Sequence, residues 1–169
     1  MVVSIAEDIQ KIIKQEQALR FAHFDEEDAW KLGNQMRSAA VKANLPLVID
    51  IRVAGRELFF VALPGTSPEN RDWVERKINV VMRQHKSSYR VGRELAQSNK
   101  VLDESQGVLP IDFAAHGGSF PINIVGVGIV GTVTVSGIPQ RDDHGFVVEQ
   151  VSLFLGKDAA ALALGPDQK

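Results

Sequence analysis

Ile5, Ile9, Ile12, Ile13 and Leu19 recur at helical intervals, and Ser4-Ile5-Ala6-Glu7 ahead of them has capping-box spacing. The pattern predicts a first amphipathic helix. A second opens on the acids Asp25 to Asp28, which favour the positive end of a helix dipole. Its apolar stripe is Ala29, Leu32, Met36, Ala39, Ala40 and Ala43, and Leu45-Pro46 ends it. The period then changes to two. Leu47, Ile49, Ile51 and Val53 alternate with Val48, Asp50 and Arg52, Ala54-Gly55-Arg56 turns the chain, and Leu58 to Leu63 forms a second strand. Strands joined by so short a loop are antiparallel.

Ser67-Pro68 supplies an N-cap and a proline at the first position of a third helix, which runs to about His85. Val74, Ile78, Val81, Met82 and His85 mark its apolar face, with Trp73 at the edge. A shorter helix follows over Tyr89 to Gln97. Residues 98 to 119 read as loop, with Asp112 to Gly117 as a single helical turn inside it. Phe120 to Val125 and Ile129 to Ser136 are β-branched strands. A last helix buries Phe146, Val147, Val151, Phe154 and Leu155 and closes on Gly156.

Hairpins rather than crossovers join neighbouring strands in this order. The expected fold is therefore α+β, an antiparallel β-sheet flanked by helices in a single domain. The domain is placed at residues 1–156, and residues 157–169 read as a tail or an oligomer arm.

Composition narrows the class. The 169 residues are 44% hydrophobic and 24% charged, with no cysteine, which removes disulfides, thiolate metal sites and cysteine nucleophiles. No secretory leader and no run of about 18 apolar residues is present, so a cytoplasmic protein with no membrane partner is expected. The net charge of -2 argues against nucleic acid as a partner. Residues 71 to 93 nevertheless carry Arg71, Arg76, Lys77, Arg83, Lys86, Arg90 and Arg93 against Asp72 and Glu75. Such a cluster in an otherwise acidic chain suits a small anionic ligand or an acidic neighbouring subunit.

Residues 126 to 131 read Gly-Val-Gly-Ile-Val-Gly, the literal dinucleotide-binding fingerprint. The fingerprint needs a helix directly after the glycines. Thr132-Val133-Thr134-Val135 alternates like a strand instead, and Gly137 and Pro139 arrive before a helix has room to form. Gly126 is read as a hairpin turn, and Gly128 and Gly131 as marking a bulge or a place where a second backbone or a ligand comes close.

The run His116-Gly117-Gly118-Ser119-Phe120-Pro121-Ile122, then a turn, then Val130-Gly131-Thr132-Val133-Thr134-Val135-Ser136-Gly137, resembles the signature of the haem-degrading domain family. That family includes HbpS-like, GlcG-like and PduO C-terminal-like proteins. The stretches LPLVIDIR, ALPGTSPEN, WVERKINVV, SSYRVG and GTVTVSGIPQRDDH extend the likeness to one branch of it over about 150 residues. The resemblance implies a profilin-like α/β/α arrangement with five strands, of which the sequence places four. It also implies a homo-oligomer and, in some members, haem or another small ligand. The histidine at 116 departs from many haem-binding members, so no ligand role and no catalytic set carries over residue by residue.

His116 is the leading single candidate, as an acid/base group or a ligand to a metal or haem iron. Its alternative is a capping or intersubunit role. His144, behind Asp142-Asp143, is a weaker metal candidate, with helix-dipole acids as the simpler account. His85 reads as a packed or capping histidine. Arg76 and Arg83 share a face opposite the apolar stripe, whereas Lys77 lies nearer the apolar edge, within reach of a ligand carboxylate. Ser136-Gly137, at a strand end beside a helix start, suits an anion. The candidate ligand site is thus His116, Gly117, Gly118, Lys77, Gly131, Ser136 and Gly137. The expected function is binding of a small anionic ligand by an oligomer, with haem or a related tetrapyrrole as one option. The alternatives are a small enzyme on a carboxylate or phosphate metabolite with His116 as acid/base, or an adaptor oligomer with no ligand.

Overall fold

The computed structural model describes residues 4–166. Ser4 and Glu7 cap helix α1 (Ile5–Ala18) reciprocally, and Asp25 and Asp28 do the same for α2 (Glu26–Lys42). Strand β1 (Val48–Val53) turns through Ala54 and Gly55, both at positive φ, into β2 (Arg56–Ala62). Helix α3 (Pro68–Gln84) starts on Pro68, and the Ser67 N–H donates to Asn70 Oδ1 at 2.9 Å. Helix α4 is Ser88–Gln97. Strands β3 (Ser119–Ile124) and β4 (Gly128–Ser136) form the second hairpin, followed by α5 (Gln140–Phe154) and a short α6 (Ala159–Leu162).

The four strands lie in the order β2-β1-β4-β3, every neighbouring pair antiparallel. Each hairpin is local, and the two join where β1 pairs with β4. Among the described residues there is no fifth strand, and a single parallel bridge, Phe21 to Ile124, lies on the outer edge of β3. The Phe21 N–H donates to Asn123 O at 2.8 Å and Phe21 O accepts from Val125 N at 2.9 Å.

Alternation along β1 and β4 sends their side chains to two different layers. Ile49, Ile51, Val133 and Val135 face α2 and α5 and join Leu32, Met36, Phe120, Ile122 and Val147 in the main core. Full burial of each such side chain is worth about 1.5–3 kcal/mol. The opposite face carries Asp50, Thr132, Thr134 and Ser136 among its buried residues, and only Val48, Val74, Ile78 and Phe60 form an apolar cluster under α3. That polar face is satisfied mainly by side-chain pairing. Arg52 grips Asp50 and reaches Glu75 of α3, and Ser119 Oγ and Thr134 Oγ1 lie 2.8 Å apart.

Three expectations change. Residues 112–117 do not form a helical turn: a turn covers 110–112, residues 113–116 have no regular structure, and the short 3-10 helix is at Glu104–Gln106. The segment is tied to α3 through Ala114 N–H to Arg76 O and Asn79 Nδ2 to Asp112 O, which replaces local helical bonding. Met82 and His85 are exposed rather than packed. The buried stripe of α3 is Val74, Lys77, Ile78, Val80 and Val81, and His85 is the left-handed C-cap residue, outside the helical register. Arg76 and Arg83 do not simply face solvent, since each donates to a carbonyl of the 98–119 loop, Pro110 O and Gln106 O.

The segment after Gly156 docks on the body. Lys11 Nζ donates to Ala161 O, Gln15 Nε2 to Leu162 O at 2.7 Å, and Arg141 Nη2 to Gly165 O at 2.6 Å. Residues 167–169 of the tail lie outside the described residues.

Candidate functional site

Past the C-terminal end of β4, helices from the two faces of the sheet meet. Lys77 of α3 and Asp143 of α5 are both buried and form an ion pair of 2.9 Å between Nζ and Oδ2. Lys77 also donates to Val135 O at 3.1 Å, and Asp143 Oδ1 accepts from the Ile138 N–H at 3.2 Å. An ammonium has three N–H donors. Among the described residues protein acceptors take two of them. The third has no protein acceptor among them, and Lys77 lines a cleft of about 290 Å³.

The cleft is walled by Asn70 and Trp73 of α3, His116, the β4 end Ser136-Gly137-Ile138, and Gln140 and Asp143 of α5. Its amides are oriented by backbone. Gln140 Oε1 accepts from the Gly117 N–H at 3.2 Å, and Asn70 Oδ1 accepts from the Ser67 N–H, so each side chain has its NH₂ end left over. Asp143, the one acid in the wall, is already filled by Lys77 and by backbone N–H groups. The polar groups of the lining left without a protein acceptor are thus mainly donors.

Electrostatics sharpen this. Burial pushes the Asp143 carboxyl up to about 6, against the pull of Lys77 and of the Ile138 and Gly137 backbone. Burial also lowers Lys77, with Asp143 opposing it. His116, on the rim, has its imidazole pKa lowered first by partial desolvation, then by the charges of Lys77 and Arg76. Its ring meets Trp73 edge-on at 5.2 Å, and the Arg76 guanidinium lies over the other part of that wall, 4.4 Å from the Trp73 ring centre.

The glycines make the pocket's shape possible. A Cβ on Gly118, whose φ is +132°, would lie 2.4 Å from Val135 O and 2.7 Å from Lys77 Nζ. One on Gly117 would meet Gln140 O at 1.9 Å, and one on Gly137 would meet Pro46 O at 1.9 Å. Gly118 thus packs without a side chain against Lys77 and Asp143, Gly117 against the start of α5, and Gly137 against the Pro46-Leu47 backbone.

Of the residues singled out from sequence, His116, Gly117, Gly118, Lys77, Ser136 and Gly137 come together here. Gly131 does not. It lies in mid-strand against β1, where a Cβ would meet Arg52 O at 1.8 Å, so its partner is a second backbone. His144 is also elsewhere. Its ring is fully buried between Tyr89 and Phe120, with Nε2 2.8 Å from Gln15 Oε1. Gln15 Nε2 donates to Leu162 O, which leaves Gln15 Oε1 as acceptor and makes His144 Nε2 the protonated nitrogen. Burial lowers its pKa to about 3. Among the described residues neither His116 nor His144 belongs to a group of potential metal ligands. The one such group is His23, Asp25 and Asp28, whose aspartates are the reciprocal cap of α2.

Asp143, Trp73, Asn70 and Gln140 were not singled out from sequence. Asp143 has the look of a dipole-complementing acid beside Asp142, and only the meeting of α3 with α5 separates the two. Among the described residues no helix is long and apolar enough to cross a membrane.

A family model described as haem degrading protein HbpS-like matches residues 24–152. A UPF0303 protein of Acidobacterium capsulatum is 52% identical over 162 residues, 96% of this chain and 98% of the relative. One from Serratia proteamaculans is 47% identical over 160 residues, 95% and 99% of the two chains. Among solved structures, that of the Ybr137w protein superposes with a TM-score of 0.79 at 24% identity, covering 88% of this chain and 87% of that one. The PduOC:heme complex gives 0.65 at 16% identity over 76% and 93%. Both are likenesses of fold.

Proposed function

The chain belongs to the HbpS-like family, in its UPF0303 branch, and from that premise we propose that it binds a small anionic metabolite in the cleft floored by Lys77. The observation that carries this is the imbalance of the cleft lining: it includes a lysine with one N–H beyond its two protein acceptors and two amides whose oxygens are already used, while its one carboxylate is already occupied. Because Asp143 already offsets the lysine's charge, a carboxylate fits better than a phosphate dianion. A rim imidazole with a lowered pKa completes the pocket, gaining a proton more readily once an anion is bound.

The cleft's volume of about 290 Å³ is just below the roughly 300–1,000 Å³ of pockets that hold drug-sized ligands, which favours a small metabolite over haem. His116 is the single imidazole in the wall. In this reading Gly117, Gly118, Ser136 and Gly137 shape the pocket and Gly131 takes no part. The working form is a cytoplasmic homo-oligomer of a domain at residues 1–156 with 157–169 appended.

Titration of the full chain with small mono- and dicarboxylates, phosphates and hemin tests the proposal. Carboxylates should perturb the His116 ring signals and bind more weakly after Gly118→Ala, which presses on Lys77. A Soret shift with hemin that disappears in His116→Ala, with no carboxylate binding, would replace this reading by haem ligation.

A further inference from the structure

We infer that Lys77 is a covalent capture residue, condensing through Nζ with the carbonyl carbon of a small 2-oxo carboxylate held in this cleft. The inference rests on the anion-binding reading and names its ligand class. Lysine serves as a Schiff-base nucleophile where its amine is desolvated beside a group that can take its proton. Lys77 meets both conditions by geometry. Its Nζ lies 2.9 Å from a buried carboxylate, Lys77 lines an open cleft, and Gly118 packs against Nζ without a side chain, a Cβ there coming within 2.7 Å of it. Burial acts on both partners in the direction of a neutral pair, raising Asp143 and lowering Lys77. A lysine placed only to tie α3 to α5 would not need to line an open cleft beside two amides and an imidazole.

The step balances without an oxidant. The Lys77 ammonium passes one proton to Asp143, and the freed electron pair forms the C–N bond to the carbonyl carbon. The carbonyl oxygen then leaves as water with the two remaining amine protons, His116 on the rim being the group placed to relay them. The proton on Asp143 returns to nitrogen. The product is an iminium that keeps one N–H toward Asp143 and one positive charge, so the buried pair is preserved and only the bond to Val135 O is given up. The ligand's own carboxylate faces the free amide ends of Gln140 and Asn70.

The test treats the full-length protein with pyruvate and borohydride, followed by intact-mass measurement and peptide mapping. One reduced pyruvyl adduct per chain, located on Lys77 and prevented by prior addition of lactate, is the expected result. Lactate has the carboxylate but no carbonyl. Adducts spread over exposed lysines such as Lys31 would overturn the inference. Lactate perturbing His116 while pyruvate leaves no adduct on Lys77 would overturn it too, yet keep the anion site. If neither compound perturbs His116 and no adduct forms, both readings fall. Lys77→Arg has no condensing amine, so it should lose the adduct entirely. Mapping the adduct in wild-type protein keeps the test valid if that variant is unstable.

Discussion

Lys77 and Asp143 reach each other from helices on opposite faces of the sheet, 2.9 Å apart where the sheet ends, with Val135 O and the Ile138 N–H taking one further bond from each. Removing one member leaves the other buried and unmatched. Lys77→Met or Asp143→Leu alone should each cost about 3–5 kcal/mol, and the double substitution should cost less than the sum. Urea midpoints of the four proteins measure the coupling directly. Strictly additive losses would show that the two side chains act independently.

His144 makes the fold sensitive to acid. It is neutral in the native protein, with a pKa near 3, whereas an unfolded histidine takes a proton below about 6.5. The unfolded chain therefore binds more protons between those values, and stability from this residue is present above 6.5 and lost as pH falls toward 3. At pH 7, His144→Phe should be destabilised by about 1–3 kcal/mol through the orphaned Gln15 oxygen. The gap to wild type should narrow as the pH is lowered, which denaturant melts at pH 7 and pH 4.5 will register.

Asp50 has the opposite sign. Burial pushes its carboxyl up to about 7, although Arg52 pulls the other way. That guanidinium also serves Glu75 and Glu57, so three acids share it. A raised native pKa means stability present below about 4 and lost as pH climbs through 7. Wild type should therefore weaken more between pH 5 and pH 8 than Asp50→Asn does. Equal slopes for the two proteins would show that Asp50 is ionised throughout.

Glycine positions divide sharply. Gly131→Ala drives a methyl into Arg52 O across the β1–β4 pairing and should cost at least ~3 kcal/mol. Gly145, inside α5, has open space where its Cβ would go, so Gly145→Ala should be neutral or stabilising by up to ~1 kcal/mol. Thermal melts of the two variants side by side provide the comparison.

These contrasts also mark how far sequence reasoning reaches. Periodicity located both hairpins and the five longer helices, because capping pairs such as Ser4/Glu7 and the two-residue alternation of Leu47 to Val53 are local signals. The α+β antiparallel class follows from them, and strand alternation after Gly131 ruled out the dinucleotide reading. The pairing of β1 with β4 has no local signature, so neither the strand order nor the Phe21 bridge could be read. Lys77 was visible as a lysine near an apolar edge. Its partner was hidden, since Asp142 and Asp143 look alike until α5 docks and only the second turns inward. Of the two roles open to His85, packed or capping, the structure takes the second, because the backbone leaves the helix at that residue.

The contact between Lys77 and Asp143 joins residues from different halves of the chain across both layers of the molecule. A cleft built that way has no partial form: neither hairpin half, expressed alone, contains it. Anything that occupies it spends its binding energy on the cooperative assembly of the whole domain. Occupancy and global folding then become one equilibrium, and a rise in melting temperature becomes a direct readout for ligands yet to be found.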